Sequence, residues 1–229
     1  QWSLKERFLY SVSYWLVLRA LQNFIGLRRC TIALTGAAPI STGILEFFRT
    51  IGIPLVEVYG QTESTGVATA QPVEDVHLGT VGVAVSGVEL KLGEHNEIIM
   101  RGGSMFKGYY KNDEATASTL MDGWLHTGDV GEWRDGQLKI VDRLKDIMIT
   151  AGGKNLSPTE IENTIKASPY IKECIVIGEA RKYVSALIQI DFETVAKWAE
   201  QERIAYTTFR SLTEQERVNE LIQAEVNRG

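Results

Sequence analysis

Three successive textures along the sequence predict an α/β fold with a small antiparallel β-barrel-like part, followed by a separate small α+β C-terminal domain. The first stretch alternates strand and helix. From about Gly79, short apolar runs alternate with glycines. From about Asp142, the order is helix, strand, strand, helix.

The elements follow in order. Residues 8–25 are rich in aromatic and aliphatic side chains, and positions 8, 12, 15, 16, 18 and 21 share one broad helical face. An amphipathic helix packed on the protein is expected, with a membrane-touching helix as the lesser option. The uninterrupted apolar part stops at Arg19, short of the roughly 20 residues a bilayer span requires. Thr31-Ile32-Ala33-Leu34 reads as a short buried strand ending in the small-residue turn Thr35-Gly36-Ala37-Ala38-Pro39. Ser41 can cap a helix running to about Thr50, and Gly52-Ile53-Pro54 breaks it. A second strand, residues 55–59, leads into the polar loop Gly60-Gln61-Thr62-Glu63-Ser64-Thr65-Gly66. Further strands are expected at 80–85, 88–92, 97–101, 130–133 and 137–141, the last two joined by an Asp135-Gly136 hairpin turn. Ser157-Pro158-Thr159-Glu160 combines a cap serine, a proline at the first helical position and a glutamate three residues after the cap. A helix to about Ala167 should follow, then strands at 173–178 and 184–190 and a long charged helical region.

The bulk composition excludes several classes. Of 229 residues, 44% are hydrophobic and 23% charged, which is ordinary for a globular protein. A net charge of -5 gives no sign of a nucleic-acid surface. Cys30 and Cys174 both sit in apolar runs, which reads as buried free thiols in a reducing compartment. No secretory signal is visible, so a cytoplasmic setting is expected, with peripheral membrane contact left open. His77, His95 and His126 are widely spaced and form no metal-ligand pair, so structural or solvated roles are expected. The chain opens on Gln1-Trp2-Ser3 and closes on Asn227-Arg228-Gly229, and a fragment at both ends is expected.

Four segments carry chemistry. Tyr59-Gly60-Gln61-Thr62-Glu63 ends a predicted buried strand, and ligands in α/β sheets bind beyond the carboxyl ends of strands. An aromatic ring there can stack on a base, a hydroxyl can meet a phosphate, and a carboxylate can hold Mg²⁺. A plain polar loop is the alternative. Gly36-Ala37-Ala38-Pro39 lets the backbone approach a planar ligand closely, although most such turns are only turns. Asp129 in Thr127-Gly128-Asp129 could accept bonds from two sugar hydroxyls or simply close a turn. The run from Asp142 to Glu162 joins an ionic linker, a glycine turn and a capped helix.

Together these segments resemble the adenylate-forming superfamily of acyl-CoA synthetases, firefly-type luciferases and peptide-synthetase adenylation domains. Tyr59–Glu63 is similar to its Tyr-Gly-x-Thr-Glu motif, and Glu97-Ile98-Ile99-Met100-Arg101-Gly102 to its Gly-Glu-(apolar)-x-x-Arg-Gly strand. Trp124-Leu125-His126-Thr127-Gly128-Asp129 is similar to its Trp-(x)-x-Thr-Gly-Asp segment, and Asp142–Glu162 to its hinge motif. Asp142-Arg143-Leu144-Lys145-Asp146 and Ala151–Pro158 resemble long-chain fatty acyl-CoA synthetases more than peptide-synthetase domains.

The resemblance implies an enzyme that activates a fatty acid with ATP to an acyl-adenylate and transfers it to coenzyme A, releasing AMP and pyrophosphate. Tyr59 would stack on adenine, with Gly36, Ala37 and Ala38 along the other side of the base. Glu57 joins the ATP-binding set. Thr62 would contact the α-phosphate, and Glu63 would hold Mg²⁺; these two are the catalytic candidates. Asp129 would hold the ribose hydroxyls, Arg143 would reach ribose or phosphate, and Lys145 would be the hinge. Residues 1–144 then correspond to the C-terminal part of the large AMP-binding domain and residues 145–229 to a truncated small mobile domain. The family's phosphate loop and C-terminal catalytic lysine do not match any part of the chain, so the chain alone is expected to be inactive in adenylation. Adenylation of an aryl or amino acid, or a non-catalytic interaction module on the same scaffold, are the alternatives.

Overall fold

The structure is a computed structural model that describes residues 3–38 and 40–228. The chain divides into two compact units: Gln1–Thr127 with Gly131–Ile140, and Gly128–Val130 with Val141–Gly229.

In the first unit, α1 (Leu4–Ser13) starts at a complete capping box between Ser3 and Glu6. It continues through one π-helical turn, Tyr14–Leu18, into α2 (Arg19–Phe24). The helix forms as expected, but it is not packed as expected. Phe8, Leu9, Val12, Trp15, Leu16 and Val17 are all exposed. Bulky apolar groups surround more than one face, and the described residues cover only the side carrying Gln22. That residue is buried and its Nε2 donates to the Ile51 carbonyl at 2.6 Å.

β1 (Ala33–Thr35) lies parallel to β2 (Leu55–Gln61), and α3 (Thr42–Thr50) connects them. Ser41 caps α3 as predicted, its Oγ accepting from the Ile44 N–H. β1 starts later than expected and is not buried, since Ile32 and Leu34 are both about half exposed. It forms the edge of a four-stranded sheet ordered β1-β2-β3-β4, and nothing among the described residues covers the Leu34 side. For the same reason Cys30, just ahead of it, is only partly buried, whereas Cys174 is buried as expected. Pro39, the last residue of the expected small-residue turn, lies outside the described residues.

β2 runs two residues past its expected end because β3 (Gly66–Ala70) folds back on it antiparallel, and β4 (Val83–Ala84) follows. The crossing is tight: a Cβ on Gly60 would sit 1.7 Å from the Gly66 carbonyl oxygen. The antiparallel sheet expected in the middle of the chain is present. β5 (Val88–Leu92) pairs with β6 (Glu97–Gly102). After α4 (Asp113–Thr119) come β7 (Leu120–Met121), β8 (Trp124–Arg134) and β9 (Gln137–Arg143). The strand order is β5-β6-β8-β7, with β9 on β8. Asp135 and Gly136 both take positive φ, 50° and 82°, as a two-residue turn of the primed type requires. Ala68, Ile98, Met100, Leu125 and Leu138 form one fully buried core cluster of this unit.

The second unit adds β10 (Met148–Ile149) paired with β11 (Asn155–Leu156), then α5 (Pro158–Lys166). α5 begins where the cap motif predicts, with Ser157 Oγ accepting from the Glu160 N–H at 3.0 Å. β12 (Ile171–Ile177) and β13 (Ser185–Ile190) form an antiparallel ribbon. Met148, Ile165, Ile171, Cys174 and Val176 form one core cluster of the unit. The charged terminal region is three helices, α6 (Phe192–Gln201), α7 (Phe209–Thr213) and α8 (Glu216–Val226). The break after α6 falls at Arg203, whose φ of 57° is left-handed. A second cluster, Ile190, Val195, Ala196, Ala199, Leu212 and Val218, holds these helices together.

Candidate functional site

In the first unit the site is built on two adjacent parallel strands. Thr35 pairs with Glu57, so the turn after β1 and the Thr62-Glu63 turn after β2 both lie beyond carboxyl strand ends, where ligands bind in α/β sheets, and Tyr59 lies in the last residues of β2. Gly36 is pressed against β2, since a Cβ there would meet the Val58 carbonyl oxygen at 2.7 Å. Ala37 follows in the left-handed region, with φ 66°.

Glu57 is a buried carboxyl. Its N–H donates to Gln71 Oε1 at 2.8 Å, and its carbonyl accepts from the Gln71 N–H at 3.0 Å. Gln71 is itself held by carbonyls of His77 and Thr80, so the strand position of Glu57 is rigid. Burial pushes the Glu57 carboxyl up to about 7, against a bond from the Ile40 backbone N–H that favours the charged form. Tyr59 is partly buried, with its ring against the core of the five-stranded sheet.

Thr62-Glu63-Ser64 forms a single 3₁₀ turn. Gln61 caps it, and Ser64 Oγ accepts from the Gln61 N–H at 3.0 Å. Thr65 closes the turn in the left-handed region, φ 60°. Thr62 is exposed and Glu63 half-buried. Among the described residues, Gln61 Nε2 is a buried donor with no hydrogen-bond partner, a condition that folded proteins rarely leave without a reason. Gln61 carries no sequence signal, because it sits at the variable position of the motif. A segment distant in sequence closes on the turn from the other side. The Phe106 N–H donates to the Glu63 carbonyl at 2.7 Å, Thr65 Oγ1 donates to the Ser104 carbonyl at 2.5 Å, and the Tyr109 hydroxyl donates to Glu63 Oε1 at 2.6 Å.

Glu63 could hold a metal only together with ligands from outside the protein. Among the described residues there is no group of three or more His, Cys, Asp or Glu suited to a metal ion. One carboxylate suits Mg²⁺, which keeps most of its water and takes phosphate oxygens. The donor set therefore fits a cation delivered with a nucleotide.

In the second unit, Asp129 is buried and Arg143 Nε lies 3.0 Å from its Oδ1. The Leu144 N–H donates to the Gly128 carbonyl at 2.8 Å, which fixes Arg143 beside the aspartate. Lys145 is exposed. Asp142 ties this region to the start of α5. Its Oδ1 accepts from the Arg143 N–H and Thr159 Oγ1, at 2.8 and 2.9 Å. Its Oδ2 accepts from Ser157 Oγ and the Thr159 N–H, at 2.6 and 3.2 Å. The cap motif and the charged run were both visible in the sequence, but their connection through Asp142 was not. His126 has the structural role expected, with Nδ1 2.7 Å from Glu97 Oε2.

Comparison with known proteins gives the family. The model of the AMP-binding enzyme family matches residues 9–110, and that of the AMP-binding enzyme C-terminal domain matches residues 145–224. The chain belongs to the AMP-binding enzyme family. Its relatives within that family include a long-chain-fatty-acid–CoA ligase of Mycobacterium bovis, 38% identical over 187 residues, covering 81% of this chain and 31% of the relative. A long-chain-fatty-acid–CoA ligase of Xenopus laevis is 35% identical over 201 residues, 84% of this chain and 27% of that protein. Among solved structures, the O-succinylbenzoate coenzyme A synthetase of Bacillus subtilis in complex with ATP and magnesium superimposes with a TM-score of 0.66. It is 27% identical and covers 76% of this chain and 40% of that one. The chain thus spans less than a third of the length of either ligase. The resemblance to AMP-forming acyl-CoA synthetases, drawn above from the motifs, is borne out.

Proposed function

We propose that the native polypeptide carrying this sequence activates a fatty acid with ATP, giving an acyl-adenylate and pyrophosphate, and then transfers the acyl group to coenzyme A, releasing AMP. The observation that carries this reading is the Thr62-Glu63 turn, which presents a hydroxyl and a carboxylate side by side just past the end of β2. The substrate class rests on the printed names of the ligase relatives.

In the first step the fatty carboxylate attacks the α-phosphate. That attack needs neutralisation of phosphate charge more than it needs an acid or base. Thr62 would donate to an α-phosphate oxygen, and Glu63 would hold Mg²⁺ against the phosphates. The bound cation would supply charge neutralisation. Tyr59 would offer a ring face to adenine, and the Gly36-Ala37-Ala38 turn would take the other side of the base. Glu57, buried at the same strand ends, would complete the base pocket. Asp129 would accept the ribose hydroxyls, and Arg143, paired with it, would reach ribose or phosphate. Lys145 would be the pivot between the part of the large domain in residues 1–144 and the small domain in residues 145–229. The second step is attack of the coenzyme A thiol on the activated acyl carbon.

A cytoplasmic setting with peripheral membrane contact belongs to the same proposal; among the described residues no helix is long and apolar enough to cross a membrane. The test is AMP release by the native polypeptide across a series of acids. Fatty acids with coenzyme A should support it. AMP release with aryl or amino acids alone would overturn the substrate class, and no AMP release with any acid would overturn the activity.

A further inference from the structure

We propose that Tyr109 is a positioning residue for Glu63: its hydroxyl holds one carboxylate oxygen so that the other is presented to a phosphate-bound divalent cation. The proposal rests on the reading of Glu63 as the metal-holding carboxylate and adds the residue that aims it.

The contact joins positions 46 residues apart, with Tyr109 Oη donating to Glu63 Oε1 at 2.6 Å. That length is typical of an O–H donor on an ionised carboxylate. A glutamate on a surface turn otherwise samples many rotamers, and ordering it at the moment of metal binding has an entropic cost. Tyr109 removes part of that cost in advance. Among the described residues Glu63 Oε2 takes no hydrogen bond, so this oxygen is left for the cation.

Tyr109 is itself held from three sides. Its N–H donates to Thr116 Oγ1 at 2.9 Å, and that hydroxyl donates to the Asn112 carbonyl at 2.8 Å. Its ring meets Phe106 edge-on, with centroids 4.8 Å apart. Gly108, at φ 144°, lies so close to Thr116 that a Cβ would stand 2.7 Å from its methyl carbon. The Phe106 N–H then grips the Glu63 carbonyl. The segment between β6 and α4 therefore fixes both the backbone and the side chain of Glu63. Hydrogen-bonded partners that orient metal ligands commonly contribute 10- to 100-fold to metal affinity. Tyr109 is 37% exposed, which places the expected effect at the lower end of that range.

The test is a magnesium titration of nucleotide binding to the native polypeptide, read by anisotropy of a fluorescent ATP analogue and therefore independent of turnover. Tyr109→Phe should raise the half-saturating magnesium concentration about 10-fold, with AMP binding in the absence of metal left unchanged. Thr116→Val, which removes the acceptor for the Tyr109 N–H but leaves the Tyr109 hydroxyl in place, should give a smaller rise in the same direction. Unchanged or tighter magnesium dependence in a folded Tyr109→Phe protein would overturn the proposal. Glu63→Gln serves as the control. If its titration matches wild type, or if wild type shows no magnesium effect, the assignment of Glu63 fails, and the role of Tyr109 fails with it.

Discussion

Replacing Glu57 with glutamine should change how stability depends on pH, in a direction the structure fixes. The carboxyl has an ordinary value of 4.5 and is pushed to about 7 by burial. Below pH 4.5 it is protonated in both folded and unfolded chains and has no effect. Between 4.5 and 7 the unfolded chain ionises while the folded one resists, so stability falls as pH rises. Above 7 the loss is complete. The gap corresponds to roughly 3 kcal/mol, and partial solvent access lowers the expected effect to about 2 kcal/mol. Glutamine keeps an acceptor for the Ile40 N–H but cannot ionise. Any cost of its extra N–H groups is the same at every pH, so the comparison is made on the change with pH. Native-state hydrogen exchange at the Glu57 and Gln71 amides, which pair with each other's residue, reports opening of this strand. From pH 5 to pH 8 the glutamine variant should gain about 2 kcal/mol on wild type. Parallel behaviour of the two proteins across that range would refute the assignment of a neutral buried carboxyl.

Other substitutions have equally definite outcomes. Asp142→Ala removes the acceptor for four hydrogen bonds and should cost the second unit about 3 kcal/mol, measured by urea unfolding followed through Trp198. Asp142→Asn should cost less, since one acceptor oxygen survives. Gly60→Ala should destabilise the first unit by more than about 2 kcal/mol, because the added methyl collides with backbone rather than with a yielding side chain; a melting temperature equal to wild type would contradict this. The 229-residue chain by itself should show no fatty-acid-dependent ATP–pyrophosphate exchange.

Local rules carried much of the fold. Ser41 and Ser157 cap helices where the sequence places them, and Asp135-Gly136 turns the hairpin, because each depends on a few neighbouring residues. β3 and α4 were missed. Gly66–Ala70 is a strand only because β2 is there to pair with it, and Asp113–Thr119 is short and has no buried residue to give it a period. The surface of α1 and the edge position of β1 depended on what lies across from them, which periodicity does not report. Of the candidate site, Tyr59, Thr62 and Glu63 could be named from the sequence because a compact motif holds them. Tyr109 and Gln71 could not, since Tyr109 bonds Glu63 from 46 residues away in sequence and Gln71 bonds Glu57 from 14. Asp142 was visible as a charge, but its partners Ser157 and Thr159 were read only as a helix start.

In the proposed function, a nucleotide-held cation on Glu63 would support formation of an acyl-adenylate. Its most direct test is ATP–pyrophosphate exchange by the native polypeptide with a long-chain fatty acid, comparing wild type with Glu63→Gln. Exchange should require both magnesium and fatty acid and fall at least about 100-fold in the variant. Exchange of equal rate in the two proteins would contradict it.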